Sequence, residues 1–320
     1  MNKYTTISFP SIGLEIDPGR SLQITENFAI HYYGIIIAVG LLLAVFYGLK
    51  RSKQFGLKQD DILDGVLGIV PFAVICARAY YCAFSWSDYA ENPISVLYIW
   101  EGGLAIYGGV IGAALGVIVF CAIKKIKIGA VLDIVSLGFL IGQSIGRWGN
   151  FFNREAFGEA TDSFFRMGLL NSYNNTVEYY HPTFLYESVW NLVGFIALHF
   201  LSKKRKYDGQ IALGYMAWYG LGRALIEGLR TDILYLGNFR VSQLLAALSF
   251  VVAVGVLLWQ SFRSHDPQKL FVNQVAAREA AMLAEQEQPE STETAEEETL
   301  VPEETEEETS AQEGPETNEE

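Results

Sequence analysis

Seven stretches of this 320-residue chain are apolar enough to cross a bilayer: Phe28 to Leu49, Ile62 to Phe84, Leu104 to Ile123, Ala130 to Ile145, Leu185 to Leu201, Ile211 to Leu229 and Val241 to Trp259. Nothing else in the sequence narrows the fold as much. A backbone in hydrocarbon must satisfy its own N–H and C=O groups, and spans of about 20 residues do so as helices. The expected fold class is therefore all-α, a polytopic membrane helix bundle of about seven transmembrane helices. The first, third and seventh windows contain no Asp, Glu, Lys or Arg, the second is interrupted by Pro71 and Arg78, and the fourth is short.

Direction follows from the loops, because cytoplasmic loops retain Lys and Arg. Lys50, Arg51, Lys53 and Lys58 follow the first window, Lys124, Lys125 and Lys127 the third, and Lys203, Lys204, Arg205 and Lys206 the fifth. Between the second and third there is no Lys or Arg. The N-terminus is thus expected outside and the C-terminus in the cytoplasm. Met1 to Asn27 lacks a basic start, apolar core and small-residue cleavage site, so the first span is expected to stay.

The formal charge of -13 misdescribes the body of the protein. Sixteen of the 36 acidic residues lie in 285–320, leaving 20 against 23 basic residues. That stretch has no aromatic residue and too little apolar surface to offset its chain entropy, so it is expected to be a disordered acidic tail. The implied organisation is a membrane-embedded domain over 1–262, a cytoplasmic linker over 263–284 and the tail over 285–320. Nothing points to nucleic acid. Cys76, Cys82 and Cys121 lie in apolar runs without CxxC spacing or a His cluster, which argues for no metal, and no cofactor is expected.

Gly108, Gly112 and Gly116, and Gly138, Gly142 and Gly146, form two four-residue ladders that let helix backbones approach closely. Ionisable groups inside a membrane are costly and mark function. With the direction above, His31 and Tyr33, Tyr107, the segment His181 to Glu187, Arg78, Arg147 with Asn150, and Arg223 all fall toward the outer leaflet. Tyr219, Arg223, Glu227 and Arg230 share one helix face by their four- and three-residue steps. Arg223 paired with Glu227 would merely satisfy two buried charges. Arg147 and Arg223 together, with Arg78 and Arg230 as supports, would clamp a phosphate diester through forked, charge-assisted hydrogen bonds.

The densest stretch is Gly146-Arg147-Trp148-Gly149-Asn150-Phe151-Phe152-Asn153-Arg154-Glu155-Ala156-Phe157-Gly158. As an interfacial turn it would use Trp148 and the Phe pair as anchors, but Arg147, Asn150, Asn153 and Glu155 exceed what a turn needs. This stretch resembles the signature of the bacterial prolipoprotein diacylglyceryl transferases. His31-Tyr32-Tyr33-Gly34, Glu101-Gly102-Gly103-Leu104, His181-Pro182-Thr183-Phe184-Leu185-Tyr186-Glu187 and Tyr219 with Arg223 extend the resemblance, in order, from about Ser8 to Phe262.

The resemblance implies a seven-span plasma-membrane enzyme. It would move the diacylglyceryl group of phosphatidylglycerol onto the lipobox cysteine of an exported prolipoprotein and release glycerol phosphate. It also implies Arg147 as the headgroup-binding arginine, Arg223 as a second essential one, Asn150, Glu155 and Gly158 as further functional positions, and Tyr33 and Tyr219 as functional tyrosines. Phosphatidylglycerol is then expected at Arg147, Asn150, Gly158 and Arg223. Many relatives carry His where this chain has Tyr107, and a tyrosine of pKa near 10 is a weak base unless a cation lowers it. Glu155, Glu227, Tyr107 and His31 stay open as proton acceptors. The rival class is a transporter or flippase for an anionic lipid or metabolite, which would place its site at the midplane between two repeats. No internal repeat is found.

Overall fold

The structure is a computed structural model that describes residues 3–25, 28–230, 235–236, 239–240 and 241–287. The expected acidic tail falls almost wholly outside the described residues. Contacts divide the chain into one unit over Met1–Val275 and a second over Ala276–Glu320, the second containing the later turns of a helix over Phe271–Glu287.

The first unit is a helical bundle. Its main helices are α1 (Tyr32–Arg51), α2 (Gln59–Phe84), the single turn α3 (Trp86–Tyr89), α4 (Ile106–Lys124), α5 (Ile128–Asn153), α6 (Thr183–Ser202), α7 (Gln210–Ile226) and α8 (Val241–Ser261). Among the described residues six helices are long and apolar enough to cross a membrane. Helix α7 has 17 residues, extended to Leu229 by a 3₁₀ turn, and packs between α5, α6 and α8. The helices turn large apolar side chains outward, among them Leu42 at 67% exposure, Leu67 at 74% and Val110 at 63%. In lipid that surface is solvated, so the bundle is held by what lies between the helices.

Small residues lie at those interfaces. Helix α4 packs on α2 along the first glycine ladder, and a Cβ at Gly112 would lie 2.5 Å from Cys76 Cβ. Helix α1 packs on α5, where a Cβ at Gly149 would lie 2.6 Å from the Tyr33 ring. Between α6 and α7 the indoles of Trp190 and Trp218 stack at 4.6 Å. Each donates its N–H to the other's backbone carbonyl, at 3.0 and 2.9 Å. Asp133 on α5 accepts from the backbone N–H groups of Gly209, Ile211 and Ala212 and so caps the start of α7.

Two expectations change. The fourth window, short in the sequence, is the core of a 26-residue helix, α5, which continues from Gly146 to Asn153. Packing of α1 on its glycine face outweighs the poor helix propensity of glycine and asparagine. The helix stops at Arg154, which takes a left-handed backbone conformation (φ 54°). That costs a residue with a Cβ about 1 kcal/mol, and the buried guanidinium compensates by donating to the carbonyls of Thr5, Phe152 and Pro18 and to Asp17.

The second change is a sheet that the sequence reading did not contain. Strands β1 (Tyr4–Phe9), β2 (Leu14–Ile16), β5 (Met167–Asn171) and β6 (Thr176–Tyr180) form an antiparallel sheet in the order β2-β1-β5-β6. Two hairpins accompany it: β3 (Ser21–Thr25) with β4 (Phe28–His31), and β7 (Tyr235–Leu236) with β8 (Phe239–Arg240). Within the larger sheet, Tyr180, Asn171 and Tyr4 donate to the Glu178 carboxylate. These bonds, Tyr180 first, depress its pKa from the ordinary 4.5 to about 2. A carboxylate whose folded pKa is lowered stabilises the fold above its unfolded pKa and loses that contribution as pH falls. Resistance of residues 167–180 to proteolysis is therefore expected to fall between pH 4.5 and about 2, and Glu178→Gln should remove that dependence.

Candidate active site

Helices α5, α6 and α7 bring five charged side chains together near one end of the bundle. Arg147 lies six residues before the end of α5, about 9 Å down the helix at 1.5 Å per residue. Its Nη2 is 2.5 Å from Glu187 Oε2 on α6. Arg223 on α7 reaches the same carboxylate with Nη1, 3.2 Å from Oε1, and reaches Glu227 with Nη2 at 2.8 Å. Arg230, just past the 3₁₀ turn, is 3.3 Å from Glu187 Oε1. The Glu187 and Glu227 side chains are 5% and 2% exposed, whereas Arg147 and Arg223 keep 22% and 20%. The buried carboxylates therefore hold the arginines from behind, and the guanidiniums are the accessible part.

Arg147 and Arg223 share Glu187 and stay more exposed than the carboxylates that hold them, so two accessible guanidiniums are fixed side by side, an arrangement that suits a phosphate diester.

Asparagine and glutamate extend the cluster toward the helix end. Arg147 Nη1 donates to Asn150 Oδ1 at 3.4 Å, and the Asn150 and Asn153 amides each donate to Glu155 Oε1 at 3.1 Å. Glu155 is exposed, just beyond the left-handed stop of α5. Its carboxylate is thus linked to Arg147 through a single asparagine.

The remaining expected site residues are distributed unevenly. Tyr219 lies one turn before Arg223 on α7 and stacks on Tyr215 at 5.7 Å. The Tyr215 hydroxyl accepts from Gln143 on α5 at 2.8 Å. Tyr33 lies against Gly149 on the α1 side of α5. Gly158 is buried, bridged to Arg230 in the backbone, with its N–H on the His181 carbonyl at 2.9 Å. A Cβ there would lie 2.6 Å from the Leu229 carbonyl, so Gly158 lets two loops close over the cluster.

Tyr107 and His31 are not drawn in. Tyr107 is 60% exposed on α4, and among the described residues no hydrogen bond or ion pair joins either of them to the arginines. The expected support from Arg78 is replaced by a different role. It is 5% exposed and donates to the carbonyls of Ser95, Val96, Gly102 and Gly103, so it anchors the loop after α3. Arg230 does join the cluster through Glu187.

Sequence reasoning left Glu187 out of the site, although three arginines converge on it. The available signal was its place at the end of the His181 to Glu187 motif, opposite an excess of arginine that needed a carboxylate. Among the described residues no group of His, Cys, Asp and Glu could hold a metal ion.

Residues 20–259 match the family model described as prolipoprotein diacylglyceryl transferase. Similar curated proteins include the phosphatidylglycerol–prolipoprotein diacylglyceryl transferase of Lactiplantibacillus plantarum, 44% identical over 74% of this chain and 87% of that protein. The enzyme of the same name from Enterococcus faecalis is 44% identical over 76% and 90%. That of Bacillus velezensis is 41% identical over 75% and 92%. With a family model covering most of the chain and relatives at this identity, the chain belongs to the prolipoprotein diacylglyceryl transferase family.

Proposed function

We propose that this multi-pass membrane protein transfers the diacylglyceryl group of phosphatidylglycerol to the lipobox cysteine thiol of an exported prolipoprotein, the first step of lipoprotein maturation. The observation that carries the reading is the arginine cluster, with Arg147 and Arg223 held on a shared Glu187 and more exposed than it.

The cysteine sulfur attacks the glycerol carbon that bears the phosphate ester. A C–S bond forms, the C–O bond breaks, and its electron pair leaves on glycerol phosphate. The phosphate charge grows from about -1 toward -2 along that path. Cations fixed beside it therefore interact more strongly with the transition state than with the bound lipid, which is the condition for catalysis. Arg147 and Arg223 take the phosphate oxygens, Glu187 and Glu227 keep both guanidiniums in place, and Asn150 carries the network toward Glu155. We assign the thiol proton to Glu155, the exposed carboxylate at the end of that network. Tyr219 and Tyr33 line the flanks, and Gly158 closes the loops above.

The alternation of Lys-rich loops supports a cluster toward the outer leaflet, where exported substrates emerge. A transporter reading is set aside because the cluster sits near one end of the bundle.

The test is to incubate the purified protein with phosphatidylglycerol and a lipobox peptide and weigh the peptide. A gain of one diacylglyceryl group supports the reading, and no gain where a related transferase works refutes it. Glu155→Gln is expected to lower the rate about 10² to 10⁴-fold with little change in the apparent affinity for lipid. Full activity in that variant would move the proton to another acceptor.

A further inference from the structure

At the end of the bundle opposite the arginine cluster, an open cavity of about 430 Å³ lies between the start of α5, the α6–α7 loop and the residues that follow α8. Lys127, Gly129, Lys206, Tyr207, His265 and Lys269 line it together with Asp208 and Asp266. Its volume is in the ordinary range for a ligand site. Neither the transfer chemistry nor the packing of the bundle uses it.

The charges in the wall do not cancel. Asp208 is engaged by Lys127 at 3.1 Å and by the Phe271 backbone N–H at 2.9 Å. Asp266 caps the turn that follows it by accepting from the Gln268 N–H at 2.9 Å. Lys206 and Lys269 have no carboxylate partner among the described residues and are exposed at the rim. Three ammonium groups against two carboxylates leave the wall one positive charge over.

Further donors lie alongside the lysines. Helix α5 begins in the wall with no side-chain cap and no acidic residue in its first turn, so its positive end faces the same space. Tyr207 stacks on His265 at 4.7 Å, and its hydroxyl is buried away from the open space. A surplus of ammonium groups and an uncapped helix start in one wall are what a phosphate group requires.

We propose that this cavity binds the phosphate of an anionic phospholipid from the leaflet at that end of the bundle. The lysines lie in loops at the helix ends, at headgroup depth, so a lipid reaches them without leaving its leaflet. Lys206 and Lys269 contact the phosphate oxygens, and Asp208 holds Lys127 beside them. The site is separate from the one that performs transfer and does not depend on that assignment.

Hydrogen–deuterium exchange of the full chain in neutral detergent tests it with a local readout. Three probes are compared: dioleoyl phosphatidylglycerol, dioleoylglycerol and inorganic phosphate. Phosphatidylglycerol should slow exchange about threefold or more in segments 127–131 and 204–209, and dioleoylglycerol should not. The protection should persist in Arg147→Ala, which separates it from lipid held at the arginine cluster. It should be lost in Lys206→Ala/Lys269→Ala, while transfer by the double variant stays within about twofold of the parent.

Equal protection by dioleoylglycerol, or unchanged protection in the double variant, overturns the phosphate site. A response to inorganic phosphate with none to phosphatidylglycerol overturns its assignment to lipid.

Discussion

Arg147→Ala and Arg223→Ala are each expected to lower diacylglyceryl transfer about 10²- to 10³-fold or more, the usual consequence of removing a fixed charge-assisted donor from a developing anion. The two arginines approach one carboxylate from different helices, with Arg147 on Glu187 Oε2 and Arg223 on Oε1. An anion between them is therefore held from two directions. Losing either also removes a cation from the cluster, which makes binding of the phosphodiester less favourable as well as the reaction slower. Lysine should restore only part of the rate at either position, because an ammonium group cannot reproduce the fork of a guanidinium. The measurement is initial rate against phosphatidylglycerol concentration for variants shown to insert and to migrate as the parent does. Full activity in either alanine variant would remove that residue from the site.

Glu187→Gln should have the second large effect, and on stability as well as rate. Three arginines share this carboxylate, whose side chain is 5% exposed. Removing one partner of a buried ion pair costs about 3–5 kcal/mol because the opposite charge stays behind unneutralised. Here the guanidiniums would repel one another and swing apart, so the phosphate site would be lost together with part of the stability. A lower unfolding temperature in detergent and a rate reduced about 10²-fold or more are expected. A variant that keeps both its unfolding temperature and its rate would contradict the account of Glu187 as the common anchor. Glu187→Asp separates the contributions: it keeps the charge but shortens the reach, so it should recover stability better than rate.

The membrane-spanning elements are legible in the sequence because a helix in lipid must be apolar along its length. Windows such as Leu104 to Ile123 accordingly coincide with helices to within a few residues. The extramembrane sheet is not legible in the same way. Residues Tyr4 to Ser8 pair with Gly168 to Asn171 across half the length of the chain, and strands this short leave no alternation long enough to read. The end of α5 was misread for a local reason. Gly146, Gly149 and Asn150 are weak helix formers, and only the packing of Tyr33 and Ile37 from α1 against this face accounts for the helix continuing.

Within the site, Arg147, Asn150, Glu155, Tyr219, Arg223, Glu227 and Arg230 were all singled out from their spacing and their place near a membrane exit. Their common partner was not. Glu187 lies 40 residues from Arg147 and 36 from Arg223, and one-dimensional spacing along a helix face does not reveal that three helices aim at one carboxylate. Arg78 illustrates the opposite error. An intramembrane arginine suggests function by its cost, yet here four backbone carbonyls satisfy it.

The central claim is that the arginine cluster holds the phosphate of phosphatidylglycerol between Arg147 and Arg223. An experimental structure determined with phosphatidylglycerol bound tests it most directly. The account predicts the phosphorus between the two guanidiniums, with phosphate oxygens about 2.7–2.9 Å from an Nη atom of each, and the ester carbon on the side that faces Glu155. Phosphate density away from both arginines, with Arg147 and Arg223 still closed on Glu187, would contradict it.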